Sequence, residues 1–278
     1  MAVIGDVLID GVPVAPQDAV ISIFDIGFQR GYGCFEAMRS YGGSIFRVDA
    51  HLRRLASSST KLRIPVPDLD AVARWCRAVA EPAGDCVVRV FVSGGLDPAK
   101  PGTGSKVVVM AESMPELPDG ITLQARVAPW HTDGEWFELT GAKALSYGFN
   151  LAATVAANDA GFSDALLVGV TGIVLEGPTY SIGWIVDGEL FTPALDIGIL
   201  ESITRRATID VANELGMRVH EGRYAVADVR RADEVIAMST TREVLPVTRI
   251  DDHGFTPGAT TARLQRGFSD LVTRELGR

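Results

Sequence analysis

A segment rich in proline and glycine divides this sequence and restricts the chain to folds with two parts. Residues 111–120 include two prolines and a glycine, a composition typical of the approach to a domain boundary. At 278 residues the chain is also longer than one minimal domain requires. We therefore expect a small domain at 1–115, a linker with the first strand of the next domain at 116–134, and a large domain at 135–278.

Hydrophobic periodicity and turn residues predict strands and helices on both sides of this segment. Strands are predicted at Val3–Ile9, Ala19–Phe24, Cys86–Val92, Lys106–Met110, Ile121–Ala128, Ala165–Gly169, Ile182–Val186, Leu190–Thr192 and Glu234–Met238. Helices are predicted from Asp49, as the capping residue, to about Arg63, at Asp68–Val79, Leu151–Ala160 and Ser202–Leu215, and after Pro257.

The composition excludes several classes of protein. A hydrophobic fraction of 47% and a charged fraction of 22% are those of a globular domain. The net charge of −9 argues against nucleic acid or an anionic membrane as a partner. Cys34, Cys76 and Cys86 form no CxxC pair and no metal-ligand spacing, so we expect buried, reduced thiols and no metal. Neither a signal peptide nor an apolar run of membrane-spanning length is visible, so we expect a cytoplasmic protein.

One lysine stands out by its surroundings. Only four of the 26 basic residues are lysines, and Lys143 is the only lysine after residue 107. It lies among small and apolar residues, in the sequence TGAKALSY. A desolvated lysine can form an imine, which arginine cannot, so a chemical role is one interpretation. A surface lysine would satisfy the same count.

Several separated motifs extend over nearly the whole chain. They are RGYGCFEAMR at 30–39, HLRRL at 51–55, KALSYGFN at 143–150, VLEGPT at 174–179, FTP at 191–193, LESITR at 200–205 and STTREVLPV at 239–247. These motifs, in this order, resemble those of the class IV aminotransferases. The resemblance implies an α+β, two-domain fold type IV enzyme, with a small α/β N-terminal domain and a larger C-terminal domain that has a β-barrel-like core. It also implies pyridoxal 5'-phosphate (PLP) as cofactor and a homodimer with active sites at the subunit interface.

The resemblance assigns roles to individual residues. Lys143 matches the lysine that holds PLP as a Schiff base and moves the substrate's α-proton. Glu176 matches the partner of the pyridine nitrogen, although a Glu-Gly turn has an ordinary structural interpretation as well. For the phosphate, the family uses an arginine, a hydroxyl and a helix N-terminus, whose N–H groups suit an anion. These features correspond to Arg54, Thr240, Ile203 and Thr204.

Other positions match less closely. Tyr147 lies near the place of a tyrosine that approaches the phenolic oxygen of PLP in some members, and a packing role is the alternative. Arg53, beside Arg54, is expected to be a solvated helix residue. Many members read EGSxSN where this chain has EGPTYS at 176–181, so the usual serine and asparagine that support the glutamate are missing. Ser202 replaces the glycine of LxGITR, which leaves backbone donation intact.

The substrate must be inferred from arginines, the natural partners of a carboxylate. The Arg-x-His of well-studied D-amino acid transaminases is absent from GGLDPAK at 94–100, and the tyrosines of branched-chain enzymes are replaced at Arg30 and Val87. Arg30, Arg89 and Arg242 remain as candidates, together with Thr241. Arg30 is expected to reach the neighbouring active site across a dimer interface, and each arginine could instead form a surface ion pair.

The sequence therefore favours a PLP-dependent transaminase that exchanges the amino group between a D-amino acid and a 2-oxo acid. The alternatives within the family are an L-branched-chain aminotransferase, an (R)-amine transaminase and aminodeoxychorismate lyase. A non-enzymatic binding protein on the same fold is the alternative outside enzyme chemistry.

Overall fold

The computed structural model describes residues 2–131 and 137–278, and the chain divides into two compact units. The first unit comprises Met1–Glu116 together with Gly141–Tyr147. The second comprises Leu117–Thr140 and Gly148–Arg278. The segment that contains Lys143 therefore belongs, by its contacts, to the first unit. Helices accompany two separate sheets, which makes the protein α+β as expected.

An antiparallel sheet flanked by helices forms the first unit. Its strands are β1 (Val3–Ile9), β2 (Val12–Val14), β3 (Gly33–Tyr41), β4 (Ser44–Ile45), β5 (Cys86–Ser93) and β6 (Val107–Ser113). Its helices are α1 (Ile26–Arg30), α2 (Val48–Lys61) and α3 (Leu69–Ala83). The strand order is β2-β1-β6-β5-β3-β4, with every pair antiparallel.

The alternation of side chains along β3 gives this sheet two different faces. Cys34, Glu36 and Met38 are buried on one face, and Glu36 bonds to side chains of α2 on that side. Phe35 and Ala37 are half-buried on the other face. Helix α2 buries Leu52 and Leu55, which stand three residues apart on one helix face.

A second, mixed sheet forms the centre of the second unit. Its strands are β7 (Ile121–Val127), β8 (Asp164–Val168), β9 (Ser181–Val186), β10 (Glu189–Pro193), β11 (Val219–Gly222), β12 (Glu234–Ser239), β13 (Glu243–Ile250) and β14 (His253–Gly254). Its helices are α4 (Gly148–Asp159), α5 (Ile203–Glu214), α6 (Val226–Val229) and α7 (Ala259–Glu275). The strand order is β11-β10-β9-β12-β13-β7-β8, and β14 pairs with β13.

Two apolar clusters stabilise the second unit. The larger one contains Trp184, which is 1% exposed and stacks on Phe191. The smaller one, here called the alanine-rich cluster, packs α4 against β8 and the loops beside it. Its buried members are Ala128, Ala153, Ala157, Ala165, Leu167, Leu175, Ile197 and Ile199. Small side chains on α4 let the helix approach the sheet closely, so the loops that pass through this cluster are firmly anchored.

The sequence-based prediction of secondary structure was wrong at two places in the first unit. Ala19–Phe24 is a loop that follows a short 3-10 helix, because its backbone pairs with no strand in the described residues. Helix α2 begins at Val48, so Asp49 lies in its first turn and the capping position belongs to Arg47. Arg47 has a φ of 50° and makes no side-chain capping bond.

Two long strands were missing from the prediction. Strand β3 contains Glu36 and Arg39, and charged residues are not expected in a buried strand unless other side chains pair with them. Strand β13 contains Pro246, which argues against a central strand because proline donates no ladder bond. The ladder tolerates Pro246 opposite Ile236, and a register shift between Val247 and Arg249 follows it.

Two other expectations concern the state of the cysteines and the presence of membrane-spanning helices. All three cysteines are buried and free, as predicted. In the described part of the chain, no helix combines the length and the apolar character that crossing a membrane demands.

The N-terminus of α7 provides a test of the second unit's stability. The buried carboxylate of Glu234 accepts hydrogen bonds from the backbone N–H groups of Gly258, Thr260 and Thr261 at 3.0, 3.1 and 2.7 Å. Glu234→Ala should lower the free energy of unfolding by roughly 1–3 kcal/mol, because these donors lose their acceptor.

Denaturant unfolding measures this loss, and Glu214→Ala is the control. Glu214 of α5 binds Arg274 of α7, but both side chains are more than half exposed. Its removal should therefore cost less than about 1 kcal/mol. Equal losses in the two variants would contradict the capping role of Glu234.

Candidate active site

The backbone of Lys143 is held on both sides within the first unit. Its N–H donates to Ser58 Oγ at 3.0 Å, and its carbonyl accepts from the N–H of Phe35 at 3.0 Å. The N–H of Leu145 donates to the carbonyl of Gly33 at 2.9 Å, so the lysine segment lies along the start of β3. The lysine is thus fixed by α2 through Ser58 and by β3 through Phe35.

The side chain of Lys143 lies against aromatic rings. Its Nζ is 4.4 Å from the ring centroid of Phe35 and 5.6 Å from that of Tyr147. The two rings meet edge to face, with centroids 5.1 Å apart. The faces of the two rings hold the amine in place and remove part of its contact with water. Tyr147 therefore packs beside the lysine, and its contact with PLP stays a prediction.

On the buried face of β3, Glu36 forms an ionic cluster with His51 and Arg54 of α2. The Nε and one terminal nitrogen of Arg54 donate to the two oxygens of Glu36 at 2.8 and 2.7 Å. His51 Nδ1 is 2.8 Å from Glu36 Oε2. Burial acts to raise the pKa of Glu36, but the charge and hydrogen bonds of Arg54, with those of His51, outweigh it and lower the pKa to about 2. Burial also lowers the pKa of His51, against the opposing effect of Glu36.

Because the pKa of Glu36 is low in the folded protein, we predict that its contribution to the free energy of unfolding depends on pH. A carboxyl whose pKa falls from 4.5 to about 2 on folding stabilises the protein fully above pH 4.5, and this contribution is lost as the pH falls towards 2. Glu36→Gln should therefore lower the free energy of unfolding most above about pH 4.5. Towards pH 2 the difference from the wild type should shrink by roughly 3 kcal/mol.

Denaturant unfolding at several pH values measures this difference. Glu116→Gln is the control, since Glu116 is exposed. A difference between wild type and Glu36→Gln that does not vary over this pH range would show that Glu36 is not held in its ionised form.

In the second unit, Glu176 lies at the end of a well-anchored loop. Both of its oxygens are 3.3 Å from the N–H of Leu200, and Oε1 is 3.3 Å from His131 Nε2. The residue before it, Leu175, is fully buried in the alanine-rich cluster. Glu176 is only partly exposed, so its carboxylate is presented in a fixed place rather than on a free side chain.

The loop after Glu176 is supported by an aromatic ring in place of the usual serine and asparagine. The N–H of Gly177 donates to the carbonyl of Tyr180 at 2.7 Å, and Tyr180 donates its hydroxyl to the carbonyl of Ala165 at 2.5 Å. A Cβ on Gly177 would lie 2.0 Å from the Tyr180 ring, so only glycine fits there. Arg242 covers the ring, with its guanidinium carbon 4.9 Å from the centroid.

Helix α5 presents its N-terminus as the LESITR motif predicts. The helix begins at Ile203, and the side chain of Ser202 caps it by accepting from the N–H of Arg205 at 3.1 Å. The N–H groups of Ile203 and Thr204 belong to the first turn and find no acceptor within a helix. Together with the helix dipole they form a setting that suits a phosphate.

The remaining predicted residues lie on a turn, a strand and a helix end. Thr240 and Thr241 are half-buried in the turn between β12 and β13, just before Arg242. Arg89 lies on β5 and binds Glu112 at 2.7 Å. Arg30 is exposed at the end of α1.

Arg242 is engaged in contacts of the second unit. It lies 3.2 Å from Asp164 Oδ2 and donates to Thr179 Oγ1 at 3.1 Å. The positive charge of Arg242, which the sequence analysis assigned to a substrate carboxylate, is therefore already paired with Asp164.

Within each unit the structure brings some of these residues together. Lys143 and Tyr147 meet in the first unit, and the loop of Glu176 meets Arg242 in the second. Sequence reasoning missed the contacts of Ser58 with Lys143 and of His131 with Glu176. Ser58 stands one helical turn after Arg54, a spacing that could have indicated a shared face. No sequence signal pointed to His131.

The groups present fit the requirements of PLP. An amine, a carboxylate for the ring nitrogen and a helix N-terminus for the phosphate are all among the described residues. In addition, Ser181 Oγ, on the strand that follows the Glu176 loop, is buried and has no hydrogen-bond partner among them. A buried hydroxyl in this state requires a partner that the described polypeptide does not supply.

Comparison with known proteins agrees with this chemistry. The sequence profile described as "Amino-transferase class IV" matches residues 33–250. A D-alanine aminotransferase of Listeria monocytogenes is 30% identical over 98% of this chain and 97% of its own. A branched-chain-amino-acid aminotransferase of Salmonella typhimurium is also 30% identical, over 96% and 92%. Among solved structures, a fold IV-transaminase from Curtobacterium pusillum is 28% identical, with a TM-score of 0.84 and coverage of 92% of each chain.

The fold and the matched sequence define a PLP-dependent enzyme of the fold-type-IV transaminases. The chain belongs to the class IV aminotransferase family.

Proposed function

We propose that this chain is a D-amino acid transaminase that transfers the amino group to a 2-oxo acid. The observation that carries the part of the proposal concerning a carboxylate donor is the place of Arg89 in the first unit. Register pairs Phe35 with Phe91 and Ala37 with Arg89, so Arg89 shares a sheet face with the ring on which the amine of Lys143 rests. An arginine on this face is suited to a carboxylate close to the reacting amine.

Lys143 acts in this proposal as the group that binds the cofactor and then moves a proton. PLP, when bound, supplies the electron sink that makes the substrate's α-proton acidic. The Nζ of Lys143 would take that proton from the donor's α-carbon and pass it to the cofactor in the first half of the exchange, and would carry a proton the opposite way, to the α-carbon of the new amino acid, in the second half. Glu176 holds the proton of the ring nitrogen, and Tyr147 shields the amine from water.

The phosphate is held by groups that donate hydrogen bonds. Arg54, Thr240 and the N–H groups of Ile203 and Thr204 are assigned to it. Glu36 supports this assignment for Arg54, because two hydrogen bonds from the guanidinium fix its plane before any anion binds. An arginine that is already oriented loses less side-chain entropy on binding.

Arg30, Thr241 and Arg242 complete the proposed substrate site with Arg89. Arg30 precedes Gly31, whose carbonyl accepts from Ser146 in the lysine segment at 2.9 Å, which supports a place for Arg30 near that segment. Arg89 and Arg242 each also bind a carboxylate of this chain, Glu112 at 2.7 Å and Asp164 at 3.2 Å, with which a substrate carboxylate would have to compete.

A homodimer is part of the proposal and is supported by an apolar surface beside Arg30. Val20, Ile23, Phe24 and Phe28 are 65–74% exposed, and all four lie within ten residues of Arg30. Exposed apolar side chains grouped in this way mark an interaction surface. A second copy of the chain would cover them and bring Arg30 to the neighbouring site.

The second candidate is an L-branched-chain aminotransferase, which the similarity to the Salmonella enzyme favours as strongly as the Listeria enzyme favours the first. Both candidates use the same Lys143 chemistry. They differ in the hand of the donor, so a donor comparison separates them.

Replacement of Lys143 tests the chemistry. Lys143→Ala should abolish transamination while PLP still binds non-covalently through its phosphate, because the variant loses the amine but keeps the phosphate donors. Pyruvate-dependent alanine formation and equilibrium dialysis against PLP measure the two properties.

Lys106→Ala is the matched control, since Lys106 is a half-exposed lysine of the same unit that binds Asp10. It should keep full activity. Turnover by Lys143→Ala would rule out the assigned role of Lys143.

The donor comparison tests the substrate. Alanine formation from pyruvate should be faster with D-amino acids than with L-leucine. Arg89→Ala should raise KM for carboxylate donors about tenfold, the effect of one charge-assisted hydrogen bond. Its activity towards an amine without a carboxylate should stay near that of the wild type.

Arg53→Ala serves as the arginine control, because Arg53 is exposed on α2. A wild-type preference for L-leucine would replace the D-amino acid proposal by the branched-chain one. An equal loss for both kinds of donor in Arg89→Ala would place the carboxylate site elsewhere.

A further inference from the structure

Glu176 has a side-chain partner that lies outside the motifs of the chain. His131 Nε2 is 3.3 Å from Glu176 Oε1, and the two side chains are 16% and 14% exposed. A carboxylate only accepts, so the imidazole N–H donates. We propose that His131 is a positioning residue that fixes the carboxylate of Glu176 for the ring nitrogen of the cofactor. This inference rests on the proposed role of Glu176 and deepens it.

The backbone around this contact is anchored at three points in one apolar cluster. The N–H of His131 donates to the carbonyl of Ala128 at 3.0 Å, and Ala128 is a fully buried member of the alanine-rich cluster. Leu175, the residue before Glu176, is a member as well. So is Ile199, the residue before Leu200. The histidine, the carboxylate and the amide of Leu200 are therefore held relative to one another by the same packing.

A chain of hydrogen bonds ties the two loops together a second time. The indole N–H of Trp130 donates to Asn150 Oδ1 at 3.1 Å, and Asn150 Nδ2 donates to the carbonyl of Pro178 at 3.0 Å. Trp130 also stacks on Phe149, with ring centroids 5.7 Å apart. His131 follows Trp130 directly and Pro178 lies two residues after Glu176, so this chain keeps the histidine beside the carboxylate.

The geometry explains why one donor is insufficient. The N–H of Leu200 lies at equal distances from both oxygens of Glu176, so it does not select one of them. His131 contacts Oε1 alone and removes this ambiguity. The carboxylate then has a defined rotation, and an oxygen can be presented to a ring nitrogen at a fixed angle. A carboxylate held in advance does not have to be ordered when the cofactor binds.

The test uses two substitutions of His131 in the full-length protein. His131→Leu removes the donor and keeps an apolar side chain, whereas His131→Gln keeps an N–H donor of similar reach. The apoprotein is titrated with PLP by absorbance, and the half-reaction rate with an amino donor is measured separately. His131→Leu should weaken PLP binding and slow the half-reaction, each about tenfold. His131→Gln should recover most of both losses.

The control for loss of a histidine–glutamate pair is His220→Leu. His220 Nε2 lies 2.7 Å from Glu189 in the same unit, on strands that carry none of the assigned site residues. This variant should bind PLP as the wild type does. Thermal unfolding of all variants separates a general loss of stability from a local effect.

The double variant His131→Leu/Glu176→Gln identifies the route of the effect. If His131 acts through Glu176, its removal should change neither PLP affinity nor rate once Glu176 is replaced. An undiminished effect of His131→Leu in that background overturns the inference, as does wild-type PLP affinity in His131→Leu or a failure of His131→Gln to recover. A Glu176→Gln variant that matches the wild type in affinity and rate is a different result, because it overturns the proposed role of Glu176 itself.

Discussion

The first unit depends on one fully buried carboxylate. Glu36 could not remain ionised inside the protein without a cation beside it. Arg54 of α2 supplies this charge and two hydrogen bonds, and His51 of the same helix supplies a further hydrogen-bond contact. The cluster therefore fixes α2 against β3. Ser58, one turn further along α2, then reaches the N–H of Lys143. The position of Lys143 therefore depends on the ion pair between Glu36 and Arg54.

The second unit positions its carboxylate by a different principle. Glu176 follows a buried leucine in a cluster built largely from alanine side chains, and no cation of the first unit's kind surrounds it among the described contacts. A neutral amide and an imidazole hold it instead. The difference agrees with the proposed function, in which Glu36 only stabilises the fold whereas Glu176 would face the ring nitrogen of the cofactor.

Much of the fold and of the site follows from local sequence, and the rest depends on tertiary contacts. The start of α5 was predictable because a capping serine and a helix N-terminus are local features. Strand β3 was not, because Glu36 becomes acceptable in a buried strand only once α2 has brought Arg54 to it. His131 was beyond sequence reasoning for the same reason, since its partner lies 45 residues away. The charge of Arg242 was recognised, but its pairing with Asp164 required the structure.

The packing after Glu176 also constrains how this sequence can diverge. Gly177 has no room for a Cβ because the ring of Tyr180 occupies that space, and the same ring is the surface on which Arg242 lies. Replacement of this loop by one with the usual serine and asparagine would remove the ring, and Arg242 would lose the surface that supports its pairing with Asp164. A substitution at Tyr180 would therefore also affect Arg242, and Gly177 could accept a side chain only in a variant that lacks this ring, so the three positions are expected to change together.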